Sequence, residues 1–363
     1  MSAAPKPQVK TGEGQLALWT AGAGLALSLL LVLWEPAATL QAYAVIAVTL
    51  LAPALGALAA LGCFQLTGGH WGELARPALL ALLGLLPIAL LGLVPALFDL
   101  AQVFDWAQPV ALLPEVVRRK QPYLNAPFFI ARTVGFALLW LLLALAYRRR
   151  GTAAAPVPAL GALTLVLWVP SITFFAFDWI MSLEPTWYSD VLGLIFGAGA
   201  VAPALAAVLL MLPELPGRPD SPPVQGRQDL ANLLLTAVLM WIFLHFSQFI
   251  IIWSSNLPHE IGWYLHRMSP ALGLLAALMV VAYFLLPFLG LLAPSRKQRR
   301  RPLRRIAACV LVGHLLHSYW LMVPSLPEPG LVTILLPAPL LVLGGLAAAH
   351  LARHAAAAVP DDG

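Results

Sequence analysis

Arg132, Asp178, His245, His314 and His317 interrupt stretches of sequence that are otherwise apolar. Ionisable side chains in such places are costly, and by default they mark function. Asp178 and Arg132 could form an ion pair that locks two helices, or the carboxylate could carry a proton. A neutral imidazole donates and accepts at once. Chains of Asp and His therefore build proton relays, and a buried histidine pair can also be purely structural. Helical spacing places Trp168, Ser171, Phe175, Asp178 and Ser182 on one stripe. Trp241, His245 and Gln248 form a second, with Ser247 beside it, and His314 with His317 a third. Three stripes facing one interior would make a polar path from the middle of a membrane to one surface. His245 and His314 could instead ligate one b-type haem between them. The sequence offers no second histidine pair at another depth, so haem is not expected.

The elements that must position these residues are membrane helices. The 363 residues are 61% hydrophobic and 10% charged, against about 25% charged in a soluble domain. Mean hydropathy is +0.86. This composition predicts an all-α integral membrane protein, and its net charge of +5 carries no argument for nucleic acid. About 20 apolar residues span a bilayer. Ten such runs are predicted, at 16–34, 41–66, 78–98, 127–147, 157–182, 188–212, 230–254, 268–293, 304–324 and 331–352. The ten-helix domain is thus 16–352, between an N-terminal tail 1–15 and a C-terminal tail 353–363. The first run is long and shows no small-residue cleavage pattern, so it reads as a helix and not a signal peptide. Pro53, Pro87, Pro95, Pro170, Pro203 and Pro287 fall inside runs. They are tolerated where a neighbour satisfies the carbonyl that each one frees. Cys63 and Cys309 sit in apolar runs without metal-type spacing and read as small buried side chains, so no metal site is predicted.

Charge sets the orientation. Of the 21 basic residues, 16 flank one set of connections, most densely in "SRKQRRRPLRR". Only Arg118, Arg119, Lys120, Arg132 and Arg267 fall on the other side. The positive-inside rule then places both termini in the cytoplasm. The outer connections 99–126 and 253–267 mix aromatics, carboxylates and prolines, a pattern for docking another subunit or forming a lid. "DWIMSLEP" after helix 5 is echoed by "YWLMVPSLPEP" after helix 9. The echo predicts two four-helix bundles, helices 2–5 and 6–9, with two flanking helices.

The strings "FDWIMSLEPTWYS" and "HFSQFIIIWSSNLPHEIGWYLHR" make the chain resemble the F subunits of bacterial alternative complex III, in the polysulfide-reductase (NrfD-like) membrane family. The resemblance covers the two motifs and the ten-helix layout, and is weak over the N-terminal third and the last helix. It implies a membrane subunit of a quinol:cytochrome c oxidoreductase in a bacterial cytoplasmic membrane. That role is structural, and either proton-conducting or quinone-binding, with quinone or menaquinone as the only small-molecule cofactor and no haem or iron–sulfur cluster in this chain. Implied partners are a C-type NrfD-like membrane subunit, periplasmic iron–sulfur and haem c subunits, and a terminal oxidase. The resemblance carries Asp178, His245, Ser247, Gln248, His259 and Glu260 as site candidates. Arg132, His314 and His317 come from the residues alone. Two rival readings remain. One is a secondary transporter, for which "LIFGAGAVAP" on helix 6 is the only candidate unwound segment and lacks polar residues. The other is a scaffold without chemistry.

Overall fold

With no water in a bilayer core, each spanning segment must satisfy its own backbone groups, and a long apolar run does so as a helix. The computed structural model describes residues 11–152, 155–213 and 221–357. In it, ten helices are long and apolar enough to cross a membrane: α1 (Gly14–Trp34), α2 (Pro36–Thr67), α3 (His70–Phe98), α4 (Ala126–Arg150), α5 (Pro158–Leu183), α6 (Leu192–Met211), α7 (Pro222–Ser255), α8 (Pro270–Leu292), α9 (Arg300–Ser325) and α10 (Pro329–Arg353). Each corresponds to one predicted run. The chain is all-α, with no strand among the described residues. The helical segment of α1 starts at Thr11, inside the expected tail 1–15. That of α10 runs on to Ala357, into the expected tail 353–363.

Helices α2 and α6 are central. α2 packs on α3, α5 and α6, and α6 in turn on α5, α7 and α9. α1 and α10 pack on each other at the side of α2. Between apolar helices in lipid, association relies on close packing, which small residues allow. Gly56 of α2 shows this: a Cβ there would lie 2.0 Å from the Ala200 carbonyl oxygen of α6. The glycine- and alanine-rich string on α6 therefore serves a helix crossing and is not unwound, since Leu192–Met211 is continuous α-helix. Large apolar side chains such as Leu33, Phe243 and Ile334 are exposed on the outside, as a lipid-facing surface requires. Cys63, expected to be buried, is exposed on the flank of α2 beside the equally uncovered Leu66, and Cys309 is half-buried.

The two aromatic-rich connections fold back onto the helices at one end of the molecule, here called the Asp178 face. Segment 99–125 forms short helical turns, among them Asp105–Ala107 and Glu115–Arg118. Its Phe104 and Trp106 are buried against Phe129 and Trp179. After α7, Asn256 adopts a left-handed conformation at φ 51° and turns the chain into the short helix Pro258–Leu265. Trp263 of that helix stacks on Trp187, with ring centroids 4.7 Å apart. Phe104, Trp106 and Trp263 of these connections are thus buried within the chain, while Trp253 is exposed.

Candidate functional site

Asp178 lies five residues before the end of α5, about 7 Å below the Asp178 face at 1.5 Å per residue. Its carboxylate is fully buried and accepts two hydrogen bonds from Arg132 of α4. Arg132 Nε donates to Oδ2 and Nη2 to Oδ1, both at 2.8 Å. A bidentate pair of this kind is the strongest geometry available to a guanidinium and a carboxylate. Arg132 is itself held: Nη1 donates to the Tyr123 carbonyl at 3.0 Å, and the guanidinium lies 3.8 Å from the centroid of the Tyr123 ring and 4.2 Å from that of Phe128. Burial, and then the negative charge of Asp178, push the Tyr123 phenol above its ordinary pKa. The rest of the Asp178 stripe is spent between helices. Trp140 Nε1 donates to Ser171 Oγ at 3.0 Å, Trp168 Nε1 to the Leu55 carbonyl at 2.9 Å, and Ser182 Oγ to the Asp178 carbonyl. With both oxygens occupied and no exposed surface, the Asp178 carboxylate presents nothing to a quinone in this arrangement.

His245 of α7 and His317 of α9 form a second centre, their Nε2 atoms 3.0 Å apart. They lie ten and eight residues from the ends of their helices, about 12–15 Å deep, near the middle of a bilayer. His317 is buried and His245 half-buried, and rings of Trp241, Tyr283 and Trp320 stand around them: Trp241 stands 4.6 Å from His245 and 5.2 Å from His317, Tyr283 5.9 Å from His317, and Trp320 6.0 Å from His245. Gly199 of α6 leaves the room, since a Cβ there would come within 3.2 Å of His317. Tyr283 reaches the site from a π-helical turn, Val281–Leu285, in α8. Such bulges are frequent at functional sites.

His314 is placed differently from the expected stripe. Its Nε2 donates to the Thr49 carbonyl of α2 at 2.9 Å. Pro53 lies four residues after Thr49 inside α2, and a proline has no N–H to return to that carbonyl. His314 fills the vacancy. The same device recurs on α6: Pro203 lies inside the helix, and the freed Gly199 carbonyl accepts from Tyr283 Oη at 3.0 Å. It recurs again at the end of α9, where Pro324 frees the Trp320 carbonyl and Arg267 Nε donates to it at 3.1 Å. The two histidines considered for one haem therefore do not oppose each other. His245 Nε2 meets His317, and His314 Nε2 is committed to α2.

Arg267 forms a third centre that the sequence reading counted only as a charge. It is almost fully buried. Nη1 donates to Glu184 Oε1 at 3.0 Å and to the Trp263 carbonyl at 2.9 Å, while Nη2 donates to the Leu321 carbonyl at 3.2 Å and to Ser325 Oγ at 2.5 Å. Ser325 Oγ donates to the same Glu184 oxygen at 2.6 Å. Burial lowers the Arg267 pKa to about 10, with Glu184 opposing the shift, so it remains a cation at neutral pH. Glu184 and Ser325 come from the two echoed strings, which meet here through one arginine.

The remaining candidates sit around this cap. Gln248 is buried, accepts from Ser189 Oγ at 2.7 Å, and donates to Tyr264 Oη at 3.4 Å. Ser247 is half-buried beside it. Glu260 accepts from Ser255 Oγ at 3.1 Å. The His259 side chain lies outside the described residues. No hydrogen bond or ion pair among the described residues joins Asp178 to the His245–His317 pair. No group of three or more His, Cys, Asp or Glu residues able to hold a metal ion occurs among the described residues. No known protein family matches the chain, and no curated protein matches it.

Proposed function

We propose that this chain is a membrane subunit of a respiratory quinol:electron-acceptor oxidoreductase of the alternative complex III type. In this reading it lies in a bacterial cytoplasmic membrane with both termini inside, and two bundles, α2–α5 and α6–α9, flank the central α2–α6 crossing. Its contribution is structural support and proton handling near the middle of the membrane. The observation that carries the proton role is the 3.0 Å Nε2–Nε2 contact of His245 and His317 among aromatic rings. In a neutral pair one Nε2 donates and the other accepts. A proton arriving at Nδ1 of the donor ring pushes the shared proton across, and the Nδ1 proton of the second ring leaves. The pair thus moves a proton without holding net charge at rest, which a low-dielectric site favours. The resemblance of the two motifs supplies the rest of the reading, with iron–sulfur and haem c subunits as partners.

A purely scaffolding role is the second reading, favoured by the complete pairing of Asp178 and Arg267 within the chain. One experiment separates the readings. The chain is tagged at its C-terminus and purified in mild detergent from its native membrane, as wild type and as His317→Gln. Our reading expects co-purifying haem c and iron–sulfur subunits, quinol oxidation, and slowed proton release in the intact His317→Gln assembly. A chain that purifies alone overturns the assignment to a redox complex. An assembly with unchanged proton release leaves the scaffold.

A further inference from the structure

Three consecutive cations, Arg118, Arg119 and Lys120, stand at the Asp178 face, although most basic residues of the chain flank the opposite face. Two of them have a carboxylate. Glu115 accepts from Arg119 Nε at 3.1 Å and pairs with Arg118 Nη2 at 2.7 Å. One carboxylate between two guanidiniums leaves a net positive charge. Among the described residues Lys120 pairs with no carboxylate; its ammonium donates to the Pro185 carbonyl at 2.7 Å. An ammonium has three donors, and a neutral carbonyl supplies no counter-charge.

Arg119 and Lys120 stand at the rim of a cavity of about 430 Å³, lined further by Tyr123, Phe174, Phe177, Met181 and Tyr188. Phe174 and Tyr188 are exposed on the surface of the helix bundle. Phe174 lies nine residues before Leu183, the last residue of α5, so the cavity wall reaches about 13 Å down the helix. Its cations are therefore level with a membrane interface, and its aromatic wall extends into the hydrocarbon layer.

We propose that this cavity binds an anionic phospholipid, with the phosphate on Lys120 and Arg119 and an acyl chain along Phe174 and Phe177. Charge complementarity selects the headgroup: a rim with surplus positive charge over an apolar wall fits an amphiphile with an anionic head and a hydrocarbon tail. Burial lowers the Lys120 pKa, and a phosphate would restore the counter-charge that the protein omits. The site does not depend on any redox role of the chain.

The test uses the full chain in its native membrane. Tyr188→p-benzoylphenylalanine places a photo-crosslinker at the cavity mouth. Irradiation followed by intact-mass analysis is expected to show an adduct of phospholipid mass, reduced at least several-fold when Lys120→Met is added. In nanodiscs, phosphatidylglycerol is expected to raise the Tm of wild type above its value in phosphatidylcholine, and Lys120→Met to remove that difference. Inorganic phosphate added to phosphatidylcholine discs should leave the Tm unchanged, which assigns the phosphate to a lipid. An adduct of quinone mass overturns the proposal. So does an adduct indifferent to Lys120, an equal Tm gain in both variants, or stabilisation by inorganic phosphate alone.

Discussion

At the scale of single residues, Asp178 has a definite neighbour, and among the described residues Arg132 pairs with no other carboxylate. The pair is bidentate, and the carboxylate is entirely enclosed. Removing one partner of a buried ion pair costs about 3–5 kcal/mol, because the survivor keeps its desolvation penalty, whereas replacing both by neutral groups is often harmless. Asp178→Asn is therefore expected to lower the thermal midpoint sharply and to reduce the folded yield. Arg132→Met combined with Asp178→Asn should recover most of it, since methionine keeps part of the stem that lies over Tyr123 and Phe128. Thermal melts of wild type and the two variants by size-exclusion chromatography check this. A stable Asp178→Asn single variant with slowed proton release would make Asp178 a proton carrier after all. The types and depths of Arg132 and Asp178 were readable from the sequence. The pairing of Arg267 with Glu184, 83 positions apart, was not, because neither residue falls inside an apolar run and only the folded loops bring them together.

At the scale of elements, the prolines carry more than kinks. Pro53 and Pro203 sit inside the two central helices, and each leaves one carbonyl for another helix to satisfy. His314 and Tyr283 do so, which ties α9 to α2 and α8 to α6 at fixed register. The sequence contained this signal, since a freed carbonyl always lies four residues before its proline. It did not contain the partner, because periodicity names the face of a helix and not the helix that it meets. That is why His314, grouped with His317 by spacing alone, turned out to serve α2 while His317 meets His245. His314→Leu should cost about 1–3 kcal/mol, the penalty of a buried unsatisfied acceptor. Pro53→Ala returns a backbone N–H to Thr49, so the same histidine change should cost clearly less in that background. A double-mutant cycle on thermal or denaturant stability measures the coupling, which should exceed about 0.5 kcal/mol for groups in direct contact. Additive effects would mean that the histidine is held there for another purpose.

At the scale of the whole molecule, the expected orientation rests on where the basic residues lie. Sixteen of the 21 basic residues flank one face, and the five on the other look at first like dissent. The fold gives most of these five a local partner. Arg132 is paired with Asp178 and Arg267 with Glu184, and Arg118 and Arg119 share Glu115. Of these five, Lys120 has no carboxylate partner among the described residues and bonds a carbonyl. The opposite face carries the "SRKQRRRPLRR" run, in which Lys297 bonds Asn232 Oδ1 and Arg300 donates to the Leu212 carbonyl among its contacts. The rule counts Lys and Arg whatever their partners, so the orientation we propose, with the arginine-rich face in the cytoplasm, rests on the raw count. Reporter fusions after Arg150 and within 294–303 are expected to score cytoplasmic, and a fusion within 99–125 to score on the far side. The informative variant is Asp178→Asn with Glu115→Gln and Glu184→Gln, which strips every carboxylate from those pairs. Carboxylates contribute little to topology, so the reporters should keep their sides even as stability falls. A far-side signal from the 294–303 fusion in wild type would invert the molecule. It would also put the Lys120 cavity in the cytoplasmic leaflet, where anionic lipid is commonest.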